Sequence, residues 1–155
     1  MKVGIGQDSH RFDPNGTKEL ILGGVKVDSD KSFFTNSDGD VVLHALTNAI
    51  SGITCVNILG KIADEMCLER GILNSAEYVK EALKYMNGLK ISNVSFSIEC
   101  STPKISPIIA DMRNSIANLL DIEANCVGIT ATSGEELTEF GKGKGIQVFC
   151  TVCAI

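Results

Sequence analysis

The chain has 155 residues, 44% of them hydrophobic, enough for one globular domain spanning residues 1–155 with a sizeable core. No stretch approaches the roughly 20 apolar residues of a membrane span. Fourteen basic against nineteen acidic residues give a formal charge of −5 without any basic run, which excludes the electrostatic footprint of a nucleic-acid-binding surface.

The N-terminus, Met1 to Asp8, turns polar too soon for a signal peptide, so a cytoplasmic protein is expected. Lys2 to Gln7 reads as a glycine-rich first strand that delivers Asp8 and His10 near its end. Residues i and i+2 of a strand share a face, so both side chains can reach one ion. Arg11 to Glu19 is a turn-rich loop, and Leu20 to Val27 reads as two strands joined by Gly23-Gly24, a hairpin signal. Asp28 to Thr35 is a connecting loop.

The stretch Asn36 to Leu46 concentrates polar groups where a helix begins, with Ser37 or Asp38 as cap and Asp40 adding charge at the positive end of the dipole. The helix is expected from Asp38 to about Ile53. Val42, Ala45, Leu46, Ala49, Ile50 and Ile53 form its apolar stripe, while His44, Thr47, Asn48 and Ser51 form a second, polar one. By this pattern His44, one of only two histidines, is not a core residue, which raises its standing as a ligand. Val56 to Asn74, broken by Gly60 and Gly71, reads as a mobile or partly helical loop.

Asn74 with Glu77 resembles a capping box opening a helix that ends near Gly88. Ile91 to Cys100 alternates as a strand with one buried face. Ser106-Pro107 is a cap and first-turn pair for a helix to about Leu120, with Ile108, Ile109, Met112, Ile116, Leu119 and Leu120 buried. Cys126 to Ala131 is a further strand, and Thr132 to Glu136 opens a short helix. The glycine-rich run Gly141 to Gly145 leads into a last strand, Ile146 to Ile155, whose two faces both look buried. The elements imply an α+β fold, a single mixed or antiparallel sheet with helices on one face. If helices cover one side only, another copy covers the other, so a homo-oligomer with sheets facing inward is expected.

Six cysteines scattered among apolar residues read as buried thiols. Cys150 and Cys153 have C-x-x-C spacing, but three apart on a strand they point to opposite faces. One carboxylate and two imidazoles, Asp8, His10 and His44, suit tetrahedral zinc with a fourth position open. The bland alternative is a turn cap and two ordinary histidines. Thr132-Ser133-Gly134-Glu135, at a strand end and helix start, supplies hydroxyls, amides and a carboxylate fit for a phosphate and its Mg²⁺, or simply for a capped helix.

Taken together these motifs resemble the 2-C-methyl-D-erythritol 2,4-cyclodiphosphate synthase family over nearly the whole chain. The matches are Gly4-x-Gly6-x-Asp8-x-His10-x-Phe12, Leu22 to Val25, Ser37 to Val41 with His44-Ala45-Leu46, Pro103-Lys104, Ala131-Thr132 with Glu135, and Gly141-x-Gly143-x-Gly145-Ile146. The resemblance implies a homotrimer with active sites at subunit interfaces, zinc on Asp8, His10 and His44, and a second divalent ion, Mg²⁺ or Mn²⁺, at Glu135. It also implies a small-molecule substrate, 4-diphosphocytidyl-2-C-methyl-D-erythritol 2-phosphate. Its 2-phosphate attacks the β-phosphorus of the cytidine diphosphate arm and expels CMP, a phosphorus–oxygen lyase reaction in non-mevalonate isoprenoid precursor synthesis.

Asn36 and Ser133 then stand at the catalytic positions. Substrate contacts fall to Asp8, Ser9, His10, Asn36, Ser37 and Gly60, to Cys100, Thr102, Pro103 and Lys104 at the cytidine end, and to Thr132, Ser133, Gly134, Glu135 and Lys142 by the phosphates. The chain departs from the family at Asn36, which replaces a histidine, at Ile58-Leu59-Gly60, at Ala63 to Cys67, and at Lys142 in place of arginine. An alternative therefore stays open, a divergent zinc-containing relative that binds another phosphorylated ligand without this turnover. A third reading, zinc as a structural staple, predicts four protein ligands.

Overall fold

The computed structural model describes residues 1–155. Its elements run β1 (Lys2–Arg11), β2 (Leu20–Leu22), β3 (Val25–Val27), α1 (Val41–Thr54), α2 (Lys61–Asp64), α3 (Ser75–Leu83), β4 (Ile91–Glu99), α4 (Ile109–Leu120), β5 (Val127–Thr132) and β6 (Gly145–Ala154). The main sheet has the order β1-β6-β4-β5, with β6 antiparallel to both neighbours and β4 parallel to β5 across the α4 connection. This is the expected mixed α+β architecture with one correction: the β2–β3 hairpin is a separate two-stranded sheet.

One face of the main sheet forms the core. Val94, Phe96 and Ile98 of β4 and Val148, Cys150, Val152 and Ala154 of β6 are all buried, within a cluster of 36 apolar residues. The opposite face, expected to be buried as well, is open on the single chain: Ile5 is 70% and Phe149 45% exposed. No helix is long and apolar enough to cross a membrane. All six cysteines are free, with Cys100 and Cys150 buried and Cys55 exposed, so the buried-thiol reading holds fully for only two of them.

Helix α1 lies against β1 backbone to backbone. A Cβ on Gly4 would sit 2.0 Å from the Ala49 carbonyl oxygen, and one on Gly6 would sit 2.2 Å from that of Ala45. Only glycine permits this approach. The helix starts at Val41, later than expected, and its cap is Asp40 instead of Ser37 or Asp38: Leu43 N–H donates to Asp40 Oδ1 at 3.0 Å. Asp40 also accepts from Gly23 N at 2.8 Å and Gly24 N at 2.6 Å, so one carboxylate holds both the hairpin turn and the helix start. Asp38 is drawn away to α3, where Ser75 N–H donates to it at 2.9 Å.

The polar stripe of α1 is a second correction, because α3 packs over it. Thr47 and Ser51 are buried; Thr47 donates to the Leu43 carbonyl at 2.8 Å and Ser51 Oγ accepts from Ile58 N at 3.4 Å. The segment expected as a loop from Val56 to Asn74 contains α2 and a five-residue π-helical turn, Glu65–Glu69. Asn74 caps α3 as expected, accepting from Ala76 N at 2.9 Å, while Glu77 turns to Lys80. Ser106 caps nothing: Ser106–Ile108 is a 3₁₀ turn that precedes α4. In α4, Met112, Ile116 and Leu120 are buried, whereas Ile109 and Leu119, like Ile108 in the turn before the helix, are only half-buried.

Burial pushes the Asp40 carboxyl up to about 6, against the pull of the Gly24, Leu43 and Gly23 amides. A carboxyl raised above its unfolded value contributes stability that is complete below that value and is lost as pH rises through the folded one. The stability advantage of the wild type over Asp40→Asn, read by urea unfolding, is therefore expected to shrink between about pH 4 and about pH 7. A residual cost of about 1–3 kcal/mol should remain, because the asparagine NH₂ leaves a glycine amide without an acceptor.

Candidate active site

Asp8 and His10 lie on the face of β1 that carries Gly4 and Gly6, and the close approach of α1 brings His44 up to them. Asp8 Oδ2 is 3.1 Å from His10 Nε2 and 3.1 Å from His44 Nδ1, and the two ring nitrogens are 3.3 Å apart. Burial works against ionisation of Asp8, but the two imidazoles outweigh it and hold its carboxyl well below the usual carboxylate range. A group of three donors that could hold a metal ion results. Within one chain three protein donors converge on the group. His10 Nδ1 donates to the Gly39 carbonyl at 2.9 Å, which leaves its Nε2 lone pair facing the group. His44 Nε2 lies 2.8 Å from Ser75 Oγ.

Beside Asp8 and His44 opens a cavity of about 280 Å³ lined by Asn36, Ser37, Gly60, Asp64, Cys67 and Tyr78. Of these, Asn36, Ser37 and Gly60 are residues the sequence places at the site. Ser9 is exposed on the opposite face of β1 from the three donors.

The remaining expected residues form a second group. Cys100 N donates to the Thr132 carbonyl at 3.1 Å and Ser101 N to that of Phe140 at 3.2 Å, which joins the Cys100–Lys104 loop to the segment after β5. That segment is not the expected helix start. Gly134–Glu136 is a single 3₁₀ turn in which Glu135 and Glu136 have left-handed backbones, φ 49° and 60°, and Ser133 Oγ accepts from Glu135 N at 3.4 Å. Thr132, Ser133, Glu135, Lys104 and Lys142 are exposed, and Lys142 pairs with Glu139 at 3.0 Å. Ser9, Gln147, Glu99 and Thr132 stand in one row across β1, β6, β4 and β5. Three strand spacings, about 14 Å, thus separate the β1 end of this row from Thr132. One chain does not bring its two groups together.

A family-wide sequence model, that of the YgbB family, matches residues 1–155. The chain belongs to the YgbB family. Curated YgbB relatives include the 2-C-methyl-D-erythritol 2,4-cyclodiphosphate synthases of Chlamydia caviae, 49% identical over 97% of this chain and 87% of that protein, and of Chlamydia abortus, 48% identical over 96% and 86%. Among solved structures, a 2C-methyl-D-erythritol-2,4-cyclodiphosphate synthase in a CDP-bound form superposes with a TM-score of 0.87 at 25% identity, covering 99% of this chain and 100% of that one. The bifunctional IspDF from Campylobacter jejuni gives 0.87 at 29% identity, and this chain spans 97% of itself and 41% of that protein.

In this YgbB chain the partners of the ring nitrogens leave little trace in the sequence. Gly39 and Ser75 carry no signal beyond a turn and a helix start, and Asp38 looks like a cap. Asp64 and Cys67 come from a segment without clear periodicity, and Tyr78 reads only as an apolar position of α3, so none of the three announces the cavity. After equilibration with Zn²⁺, metal analysis is expected to find about one ion per chain in the wild type and none in Asp8→Ala or His10→Ala. Full occupancy in either variant would remove that residue from the ligand set. Acidification should release the ion, since the imidazoles must be deprotonated to bind it.

Proposed function

We propose that this chain converts 4-diphosphocytidyl-2-C-methyl-D-erythritol 2-phosphate to 2-C-methyl-D-erythritol 2,4-cyclodiphosphate with release of CMP. The observation that carries the reading is the three-donor group of Asp8, His10 and His44 in a chain of this family. Donors of a tetrahedral zinc ion bound at about 2.0–2.1 Å lie about 3.3–3.4 Å apart, close to the separations found here. Asp8, His10 and His44 would hold zinc, and Glu135 a second ion, Mg²⁺ or Mn²⁺. These cations supply Lewis acidity and charge neutralisation at the phosphates.

The chain's own residues position the substrate. An oxygen of the 2-phosphate forms a bond to the β-phosphorus while the bond from that phosphorus to the oxygen bridging to the α-phosphate breaks, and CMP leaves with the electron pair. The nucleophile is already anionic, so orientation and charge stabilisation dominate over proton transfer. Asn36 beside the three donors and Ser133 in the second group are placed here as the donors to the reacting phosphates. Ser37 and Gly60 line the sugar end. Cys100, Thr102, Pro103 and Lys104 take the cytidine end, and Thr132, Gly134 and Lys142 the diphosphate. Relatives solved with CDP support a cytidine nucleotide as the ligand.

The two groups of one chain lie apart, and the uncovered sheet face is apolar at Val3, Ile5 and Phe149. Both features support a homotrimer whose sheets pack inward and whose sites join the first group of one copy to the second group of the next. Six free thiols in a single domain over residues 1–155 fit a reducing cytoplasm.

Purified protein with Zn²⁺ and Mg²⁺ is expected to release CMP from the named substrate, and His44→Ala to lose about 10³-fold in kcat/KM. No release above the rate of that variant would sink the assignment. Sedimentation should give three times the 16.5 kDa chain mass. Ile5→Lys should yield monomers that retain metal but release no CMP; a fully active monomer would refute the shared site.

A further inference from the structure

We infer that Asp38 and Ser75 are positioning residues for His44, fixing which ring nitrogen faces the metal. This rests on the metal reading above. An imidazole can ligate through either nitrogen, and a ring flip or a change of tautomer interchanges them. Distance alone does not choose, because the serine hydroxyl beside His44 Nε2 can donate or accept.

The choice comes from the next partner along. Ser75 Oγ also contacts Asp38 Oδ1. The Asp38 carboxylate only accepts, and it already takes Ser75 N–H at 2.9 Å and Asp40 N–H at 3.1 Å. If the single hydroxyl proton of Ser75 pointed at His44, oxygen lone pairs of Ser75 and Asp38 would face each other. The proton therefore goes to Asp38, and Ser75 Oγ accepts from His44 Nε2–H at 2.8 Å. With its proton on Nε2, the ring turns the Nδ1 lone pair toward Asp8 and His10.

His10 is set the opposite way round, its Nδ1–H held by the Gly39 carbonyl at 2.9 Å. Both rings are thus oriented from one short segment, His10 directly by Gly39 and His44 by Asp38 through a hydroxyl on another helix. Ser75 is fully buried and Tyr78, 2% exposed, lies 6.0 Å from the His44 ring centre, so the serine at the middle of the relay is shielded from water, while Asp38 is half-buried. A carboxylate behind a ligating histidine strengthens the nitrogen that binds, and loss of such a partner typically lowers metal affinity about 10–100-fold.

The test uses the whole zinc-loaded protein with ¹⁵N-labelled histidine. Long-range ¹H–¹⁵N spectra are expected to show His44 metal-bound through Nδ1 and protonated at Nε2, and His10 the reverse; His44 bound through Nε2 would overturn the proposal even if every variant failed to fold. Zinc affinity measured by chelator competition should fall about 10–100-fold in Ser75→Ala and in Asp38→Asn, with folding checked by circular dichroism. The double variant should lose no more than Ser75→Ala alone, because the two act through one proton. A folded Ser75→Ala with wild-type affinity, or additive losses in the double variant, would assign the pair a purely structural role and overturn the inference. A wild-type chain that takes up no zinc would overturn the metal reading itself, and this proposal with it.

Discussion

The absence of side chains at Gly4 and Gly6 is the constraint on which the rest of the structure depends. It lets a helix backbone rest on a strand backbone, at a separation set by the peptide groups themselves. An ordinary packed pair is held apart by interdigitating side chains and tolerates small shifts; this one has nothing to adjust. His44 follows Val41 by less than one turn, and Asp8 follows Gly6 by one pleat. The donors therefore inherit the precision of the backbone contact. Sites that must hold a geometry to a fraction of an ångström are best carried on rigid elements.

The turn from Ser37 to Asp40 is the second determinant, because each of its residues holds a different part of the molecule. Ser37 Oγ accepts from Gly39 N at 3.1 Å and closes the turn. Asp38 ties in α3, the Gly39 carbonyl orients His10, and Asp40 caps α1 while gripping the hairpin. Gly39 has φ 73°, and a Cβ there would lie 2.5 Å from Thr35 Cγ2, so glycine is required at that point. Four consecutive residues fix the relative placement of β1, the hairpin and two helices.

Much of this is legible in the sequence. Alternation in Ile91 to Cys100, the glycine pair between Leu22 and Val25, and the i, i+2 placement of Asp8 and His10 each report a local backbone geometry directly. His44 stands out for a reason that proves incomplete: its polar stripe is not a solvent face, yet the histidine does leave the apolar stripe to reach the other donors. What stays hidden depends on residues distant in sequence. Ser37 and Asp38 read as caps of α1, and only the amides of Gly23 and Gly24, together with the pull of Ser75 on Asp38, give that role to Asp40. The left-handed turn at Glu135 and Glu136 defies local preference, since neither residue favours positive φ. A polar run after a strand looks like a capped helix until its tertiary setting is known. Gly60 and Gly71 interrupt the periodicity that would announce α2.

The first strand has a single hydrogen-bonded neighbour in the sheet, and it is the last strand: the pairing runs from Lys2 with Ala154 to Arg11 with Gly145. This long-range ladder carries a cost in time. Closing it requires the whole intervening chain to be spanned, the kind of contact that slows folding. During synthesis β1 waits, its ladder groups unpaired, until β6 has been made. Asp8 and His10 are thus made well before β6 and are among the last residues to be fixed in place. Residues 145–154 contribute no donor to the Asp8, His10 and His44 group, yet they govern when it comes into being.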